Sequence, residues 1–204
     1  SMGCTTTTAM LTIHNMATWM IALWGSDDIK AQWCDELVTG DKLASYCLTE
    51  PGAGSDAASL KTKATKTDDG YVLNGAKVFI SGAGSTDVLV VMARTGGDGP
   101  SGVSAFAVPA DSDGIIYGKA EEKMGWNAQP TRMITFDNVR LQDAWRLGAE
   151  GEGFKMAMQG LDGGRINIAT CSVGTAQQAL NVARDYINER EQFGKTIAGF
   201  QALQ

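Results

Sequence analysis

From Ile166 to Ile187 apolar residues return at alternating steps of three and four: Ile166, Ala169, Val173, Ala176, Leu180, Ala183 and Ile187. That rhythm is an a/d seam held over three heptads, and at 1.5 Å per residue it predicts about 33 Å of helix. Ala169, Ala176 and Ala183 keep the seam thin, so a partner helix must approach closely. One helix cannot bury such a stripe by itself. This stretch is therefore expected to open a helical bundle, and the chain to be a fragment of a larger architecture.

The beginning of the chain is also helical in pattern. Met10, Ile13, Ala17, Met20 and Trp24 recur at spacings of three and four, which puts them on one face, and Gly25 fits a helix stop. Ser26 is placed to cap a second helix, with Asp27 and Asp28 in its first turn and Ile29, Trp33 and Leu37 on one stripe up to Gly40. No charge precedes Asp27, yet threonines, His14 and Asn15 interrupt the apolar run, whereas a spanning helix needs ~20 mostly apolar residues. A signal peptide needs a basic start, which is missing. A buried core helix is the expectation, and Ser1-Met2 reads as a cloning scar.

Between Ala44 and Leu141 the period changes. Asp69-Gly70 and Asn74-Gly75 bracket a strand-like Tyr71–Leu73 as turn signals. Val88–Val91 suits a buried strand, and Val103, Ala105, Ala107 and Pro109 alternate with other residues. Ile115–Tyr117 and Met133–Phe136 follow, with an irregular loop at Thr95–Gly102. Short strands with glycine turns point to an antiparallel barrel or sandwich. The fold class expected is thus an α+β multi-domain fragment. Residues 3–43 end a helical N-terminal domain, 44–149 form an antiparallel, barrel-like middle β domain, and 150–204 start a C-terminal helical bundle.

Composition excludes several functions. Net charge is −6, and no two Lys or Arg adjoin, so nothing offers an electrostatic footprint for nucleic acid. Cys4, Cys34, Cys47 and Cys171 have no metal-ligand spacing and His14 is the one histidine, which gives no basis for a zinc site. Scattered cysteines in a chain of 204 residues read as reduced thiols.

The chemically informative stretch is Tyr46–Leu60, YCLTEPGAGSDAASL. Pro51 fixes the chain, and Gly52 and Gly54 let backbone approach a ligand. Successive N–H groups in such a turn can cradle anionic oxygens, with Thr49 and Ser55 adding hydroxyls. On its own physics the stretch is either an anion-binding loop or a plain turn, and it lacks the G-x-G-x-x-G dinucleotide pattern.

As a whole, Tyr46–Leu60 resembles the signature of the acyl-CoA dehydrogenase family. FISGAG (79–84), RTGG (94–97), MGWNAQPT (124–131), EGEGF (150–154) and EREQFGK (189–195) continue the resemblance in order, across nearly all of residues 3–204. Within the family, GLDGGRINIA (160–169) and TIHNM (12–16) are similar to the subgroup acting on short branched-chain acyl-CoA, isobutyryl-CoA above all, in valine breakdown. The resemblance implies FAD-dependent oxidation of an acyl-CoA to the 2,3-enoyl-CoA by a homo-oligomer, a tetramer, that passes electrons to electron-transfer flavoprotein. It implies no nucleic-acid or membrane partner. The compartment would be the cytoplasm of a bacterium or the mitochondrial matrix of a eukaryote.

Carried over residue by residue, the resemblance implies that Tyr46, Cys47, Leu48, Thr49, Gly54 and Ser55 line the flavin. Thr49 would meet its pyrimidine edge. Phe79, where many relatives have Trp, would pack on the ring beside Ile80, and Ser81 would bond near N5. Arg190, Gln192, Phe193 and Gln201 would touch a flavin held by a neighbouring subunit. Ser55, Ser101, Asp162, Gly163, Gly164 and Arg165 would contact the acyl-CoA.

Simpler roles stand beside these. Thr49 and Ser81 could end strands, Phe79 could be core, and Arg165 and Arg190 could be solvated charges. His14 reads as a satisfied core histidine, Trp19, Trp24 and Trp33 as core, and Glu50 as structural. The resemblance places the catalytic base beyond Gln204, and the alternative family position is Gly164, so no catalytic residue is expected in this chain. Other readings are an acyl-CoA oxidase or flavin monooxygenase on the same fold, or a non-catalytic acyl-CoA- or flavin-binding module.

Overall fold

The computed structural model describes residues 4–203; Ser1-Met2, read above as a scar, lie outside them. Helix α1 (Thr5–Trp24) stops at Gly25, whose N–H donates to the Ile21 carbonyl at 2.8 Å. Helix α2 (Asp27–Thr39) starts as expected: the Ser26 hydroxyl accepts from the Ile29 N–H, Asp27 and Asp28 sit in the first turn, and Ile29, Trp33 and Leu37 are buried. It ends at Gly40, whose φ of 82° is left-handed backbone that glycine adopts without strain. The buried face of α1 runs through Ala9, Met16, Ala17, Met20 and Ile21, rotated from the face read off the sequence; Trp19 is partly exposed. His14 ties three elements together, with Nε2 donating to the Leu37 carbonyl (2.9 Å) and Nδ1 accepting from the Ala44 N–H (3.1 Å).

Eight strands follow: β1 (Ala44–Cys47), β2 (Lys63–Thr67), β3 (Gly70–Ser81), β4 (Val88–Arg94), β5 (Val103–Pro109), β6 (Ile115–Ala120), β7 (Thr131–Gln142) and β8 (Arg146–Leu147). Their order is β6-β7-β3-β2-β4-β5-β8, with β1 also paired to β4. This corrects the barrel expectation. The end strands β6 and β8 do not pair with each other, so the sheet is open. It is not wholly antiparallel either, because β1 and β2 both run parallel to β4. The two halves meet at a single Lys63–Arg94 pair and fold over one another.

That folding explains why β4 reads as an unbroken apolar run. Val88, Val90 and Met92 pack with α1, α2 and the start of the long helix, while Leu89, Val91 and Ala93 pack with Leu73, Phe136 and Leu141 of the other half. Strand β5 is buried on both faces for the same reason, so its sequence alternation does not separate inside from outside. Asn74-Gly75 is not a turn but a bulge inside the twelve-residue β3. A Cβ on Gly75 would lie 2.7 Å from Thr62 Cα, so glycine is required by close approach.

Helix α3 (Gly153–Glu189) has 37 residues, about 55 Å. Its first turns are buried through Gly153, Met156, Ala157, Gly160 and Gly164. The heptad seam forms as expected but faces outward among the described residues: Ile166, Val173 and Leu180 are exposed. Two short strands, β9 (Glu191–Gln192) and β10 (Lys195–Thr196), make a hairpin after it. Among the described residues no helix is long and apolar enough to cross a membrane, and no cluster could hold a metal.

Candidate functional site

A cleft of about 620 Å³ opens where α1, α3 and the ends of β1 and β3 converge. Helix α1 contributes Thr12, Ile13 and Met16. Strand β1 and the residues after it contribute Tyr46, Leu48 and Thr49; the end of β3 contributes Phe79, Ile80 and Ser81. Helix α3 closes the far side with Leu161, Gly164, Arg165, Ile168 and Ala169.

The β-sheet presents these groups through two local devices. Alternation along β1 sends Tyr46 to the helices, where its hydroxyl donates to the Ala157 carbonyl at 2.9 Å. Burial raises the phenol above its ordinary titration range. The second device is the irregularity between Lys77 and Ile80, where Phe79 takes φ 57° and turns its ring outward, 67% exposed. Left-handed backbone at a bulky residue is strained, and such strain concentrates at functional positions. The Val78 N–H donates to the Thr49 carbonyl at 2.9 Å, locking the two segments side by side. Among the described residues, no partner takes the Thr49 or Ser81 hydroxyl, which remain free donors at the cleft.

Beneath this floor lies a buried ion pair. Lys77 Nζ donates to Glu50 Oε1 at 2.8 Å and to the Leu48 carbonyl at 3.0 Å. Glu50 also accepts from the Lys61 N–H (2.6 Å) and the Thr62 N–H (2.9 Å). Burial works against the Glu50 charge, but Lys77 and these N–H groups outweigh it and hold the carboxyl below the usual carboxylate range. Glu50 is thus a brace for the loop, ion-paired and holding three hydrogen bonds, and not a free base.

Several residues named from the sequence fall elsewhere. Cys47 points to the opposite face of β1, into the sheet core, where burial pushes its thiol up to about 12. Gly54 and Ser55 lie on the exposed bend just after the turn that Glu50 and Ala53 close by backbone bonds, and a Cβ on Gly52 or Gly54 would meet open space. Ser101 is exposed in the loop before β5, its carbonyl against Gly151. Asp162 ion-pairs with Arg165 on the helix surface. Gly163 faces away from the cleft, toward the other flank of α1.

Arg190, Gln192, Phe193 and Gln201 are all exposed at the far end of α3. Arg190 is 25 residues from Arg165, about 37 Å along the helix, so it does not reach this cleft within the chain. Phe193 is 93% exposed, also with positive φ, and meets Phe200 edge to face.

Thr12, Ile13, Met16, Leu161, Ile168 and Ala169 were not singled out as site residues. The signal was available: Gly160 and Gly164 sit one turn apart, and such a pair marks where another helix comes close. Met16 of α1 fills the position over Gly164, and the Tyr46 ring with Met20 of α1 fills the one over Gly160.

Among the described residues, no carboxylate lines the cleft. Its residues instead suit a flat aromatic group with a polar edge: an outward ring, free hydroxyls, and a far wall that is apolar apart from Thr12 and Arg165. Comparison with known proteins agrees. The chain matches the acyl-CoA dehydrogenase middle domain over residues 45–139 and the acyl-CoA dehydrogenase C-terminal domain over residues 151–204. It is 52% identical to mitochondrial isobutyryl-CoA dehydrogenase of Bos taurus, covering 99% of this chain and 49% of that protein. Butyryl-CoA dehydrogenase from Megasphaera elsdenii superposes with a TM-score of 0.89 at 41% identity, over 95% of this chain and 51% of that one. PigA in complex with FAD superposes at 0.86 with 32% identity, over 95% and 51%. The chain therefore spans about half the length of the relatives it matches.

Proposed function

This chain belongs to the acyl-CoA dehydrogenase family, and from that premise we propose that it forms the cofactor and acyl cleft of an FAD-dependent enzyme that converts isobutyryl-CoA to its 2,3-enoyl-CoA. The observation that carries the proposal is the outward Phe79 ring flanked by the free hydroxyls of Thr49 and Ser81, opposite the largely apolar wall of α1 and α3. When bound, FAD supplies a two-electron acceptor for the hydrogen leaving the β-carbon. Phe79 packs against the flat ring system. Thr49 and Ser81 donate hydrogen bonds to its polar edges, where negative charge grows on reduction. Thr12, Ile13, Met16 and Ile168 exclude water from the acyl group and orient it. Among the described residues that line the cleft none is a carboxylate, so the role these residues support is binding and positioning.

Two further assignments rest on the same premise. Arg190, Gln192 and Phe193, displaced about 37 Å from the cleft, contact a flavin in a neighbouring copy of a homotetramer. Electron-transfer flavoprotein takes the electrons onward. The deciding experiment adds isobutyryl-, butyryl- and isovaleryl-CoA anaerobically to the FAD-loaded protein carrying this sequence. Bleaching of the flavin absorbance is expected, fastest with isobutyryl-CoA. No bleaching with any acyl-CoA would overturn the reading, and fast reoxidation by oxygen would turn it toward an oxidase.

A further inference from the structure

A second cavity, of about 370 Å³, lies on the other flank of the α1–α3 contact. Asn15, Met16 and Trp19 line it from α1; Gln159, Gly160, Gly163 and Asn167 line it from α3. Met16 is the one α1 residue that borders both this cavity and the acyl cleft. Opposite it stands Gly164, with no side chain: a Cβ there would lie 2.6 Å from the Met16 sulfur and 3.2 Å from its terminal methyl. Met16 is 6% exposed, so its thioether fills the gap that the glycine leaves between the helices. One turn away the gap is filled differently, by the Tyr46 ring and the Met20 sulfur over Gly160. The wall between the two cavities at Gly164 is therefore a single flexible side chain resting on bare backbone.

We propose that Met16 is the specificity-determining residue that ends the acyl cleft, and that the α1–α3 cavity behind it is a latent extension for longer straight acyl chains. The proposal rests on the acyl-CoA reading above. Unbranched and polarizable, methionine seals irregular gaps, and it is also the side chain most readily replaced by another apolar group. With Met16 in place, an acyl group beyond the branched four-carbon size meets the thioether. With the thioether removed, the same group passes over Gly164 toward Trp19.

The test compares the unsubstituted protein with Met16→Ala and Met16→Val, the latter keeping a branched stub in case the smaller residue loosens the helix pair. Flavin reduction is followed with isobutyryl-, hexanoyl- and octanoyl-CoA. The kcat/KM ratio of hexanoyl- to isobutyryl-CoA is expected to rise on the order of tenfold or more in both variants, the discrimination a methylene-sized change gives in an apolar pocket. A second readout does not need turnover. Octanoyl-CoA should change Trp19 fluorescence in Met16→Ala, and the change should vanish in Met16→Ala/Trp19→Phe. An unchanged ratio together with unaltered Trp19 emission, in variants that still bind isobutyryl-CoA, would overturn this proposal alone. Failure of the unsubstituted protein to bind any acyl-CoA would overturn the functional reading, and this inference with it.

Discussion

Lys77 and Glu50 meet 2.8 Å apart beneath the cleft floor, the lysine side chain wholly buried and the carboxylate 7% exposed. They join the middle of β3 to the loop after β1, the two segments that carry Phe79 and Thr49. Removing one partner leaves a buried charge unpaired, which typically costs about 3–5 kcal/mol. Lys77→Met should therefore lower the unfolding free energy by that order, read as a lower denaturant midpoint at unchanged slope, and weaken FAD binding together with it. A midpoint within error of the parent would show that the pair does not brace the floor.

The same pair sets an acid limit. The Glu50 carboxyl titrates lower in the folded chain than in the unfolded one, where a glutamate has a pKa of about 4.3. Its contribution to stability is complete above the unfolded value and is lost as pH falls through the folded one. Glu50→Gln should lower stability at neutral pH and flatten the acid limb of a midpoint-against-pH curve. Parallel acid limbs for the two proteins would contradict this.

Phe79 separates binding from stability. Its left-handed backbone strains a side chain that is mostly exposed, so Phe79→Gly should leave the ligand-free protein as stable or stabilise it by up to ~1 kcal/mol. The same change should weaken FAD binding, read from flavin fluorescence. Loss of stability without loss of FAD affinity would make Phe79 a packing residue.

Ser81→Ala should slow flavin reduction more than it weakens FAD binding. A single preorganised donor at developing negative charge is worth up to ~10²–10³ in rate. Stopped-flow reduction at the parental rate would remove Ser81 from the chemistry.

Two glycines of α3 should respond in opposite ways. A Cβ on Gly153 would lie 2.3 Å from the Ser104 carbonyl carbon and 2.6 Å from the Ala105 nitrogen, backbone that cannot step aside. Gly153→Ala should destabilise by about 1–3 kcal/mol. A Cβ on Gly160 would meet Tyr46 at an ordinary 3.6 Å, so Gly160→Ala should be neutral or stabilise by up to ~1 kcal/mol through helix propensity. Thermal unfolding of the two variants checks the contrast.

What the sequence made legible was what depends on near neighbours. The Ser26 cap, the Ile29–Trp33–Leu37 stripe and the Ile166–Ile187 period are all set within a few residues, and the structure keeps them. Asn74-Gly75 shows the limit of that reasoning. Its residues suit a hairpin, but Asn74 Oδ1 accepts from the Asn138 N–H across β7 and Gly75 presses on Thr62, so distant contacts turn the pair into a bulge. Sheet closure failed for the same reason, since it depends on which strands meet, and the Lys63–Arg94 junction has no local signature. In the cleft, the motif supplied Thr49, Phe79 and Ser81; the Gly160–Gly164 spacing signals that some helix comes close, but that it is α1, with Met16 against Gly164, depends on long-range packing.

Strand β4 is covered by helices on one face and by the folded-over sheet on the other, and β1 runs parallel beside it from Ala44–Val88 to Cys47–Val91. In hydrogen-exchange terms, the amides of β4 can reach solvent only when both layers part, so their opening free energy approaches that of the whole chain. β1 shares that ladder, and so Tyr46 is anchored to the slowest-opening part of the molecule. Phe79, on its bulge, is not. The cleft thus joins a wall anchored to the slowest-exchanging ladder with an aromatic ring that stands mostly in solvent, so exchange protection at Tyr46 should exceed that at Phe79.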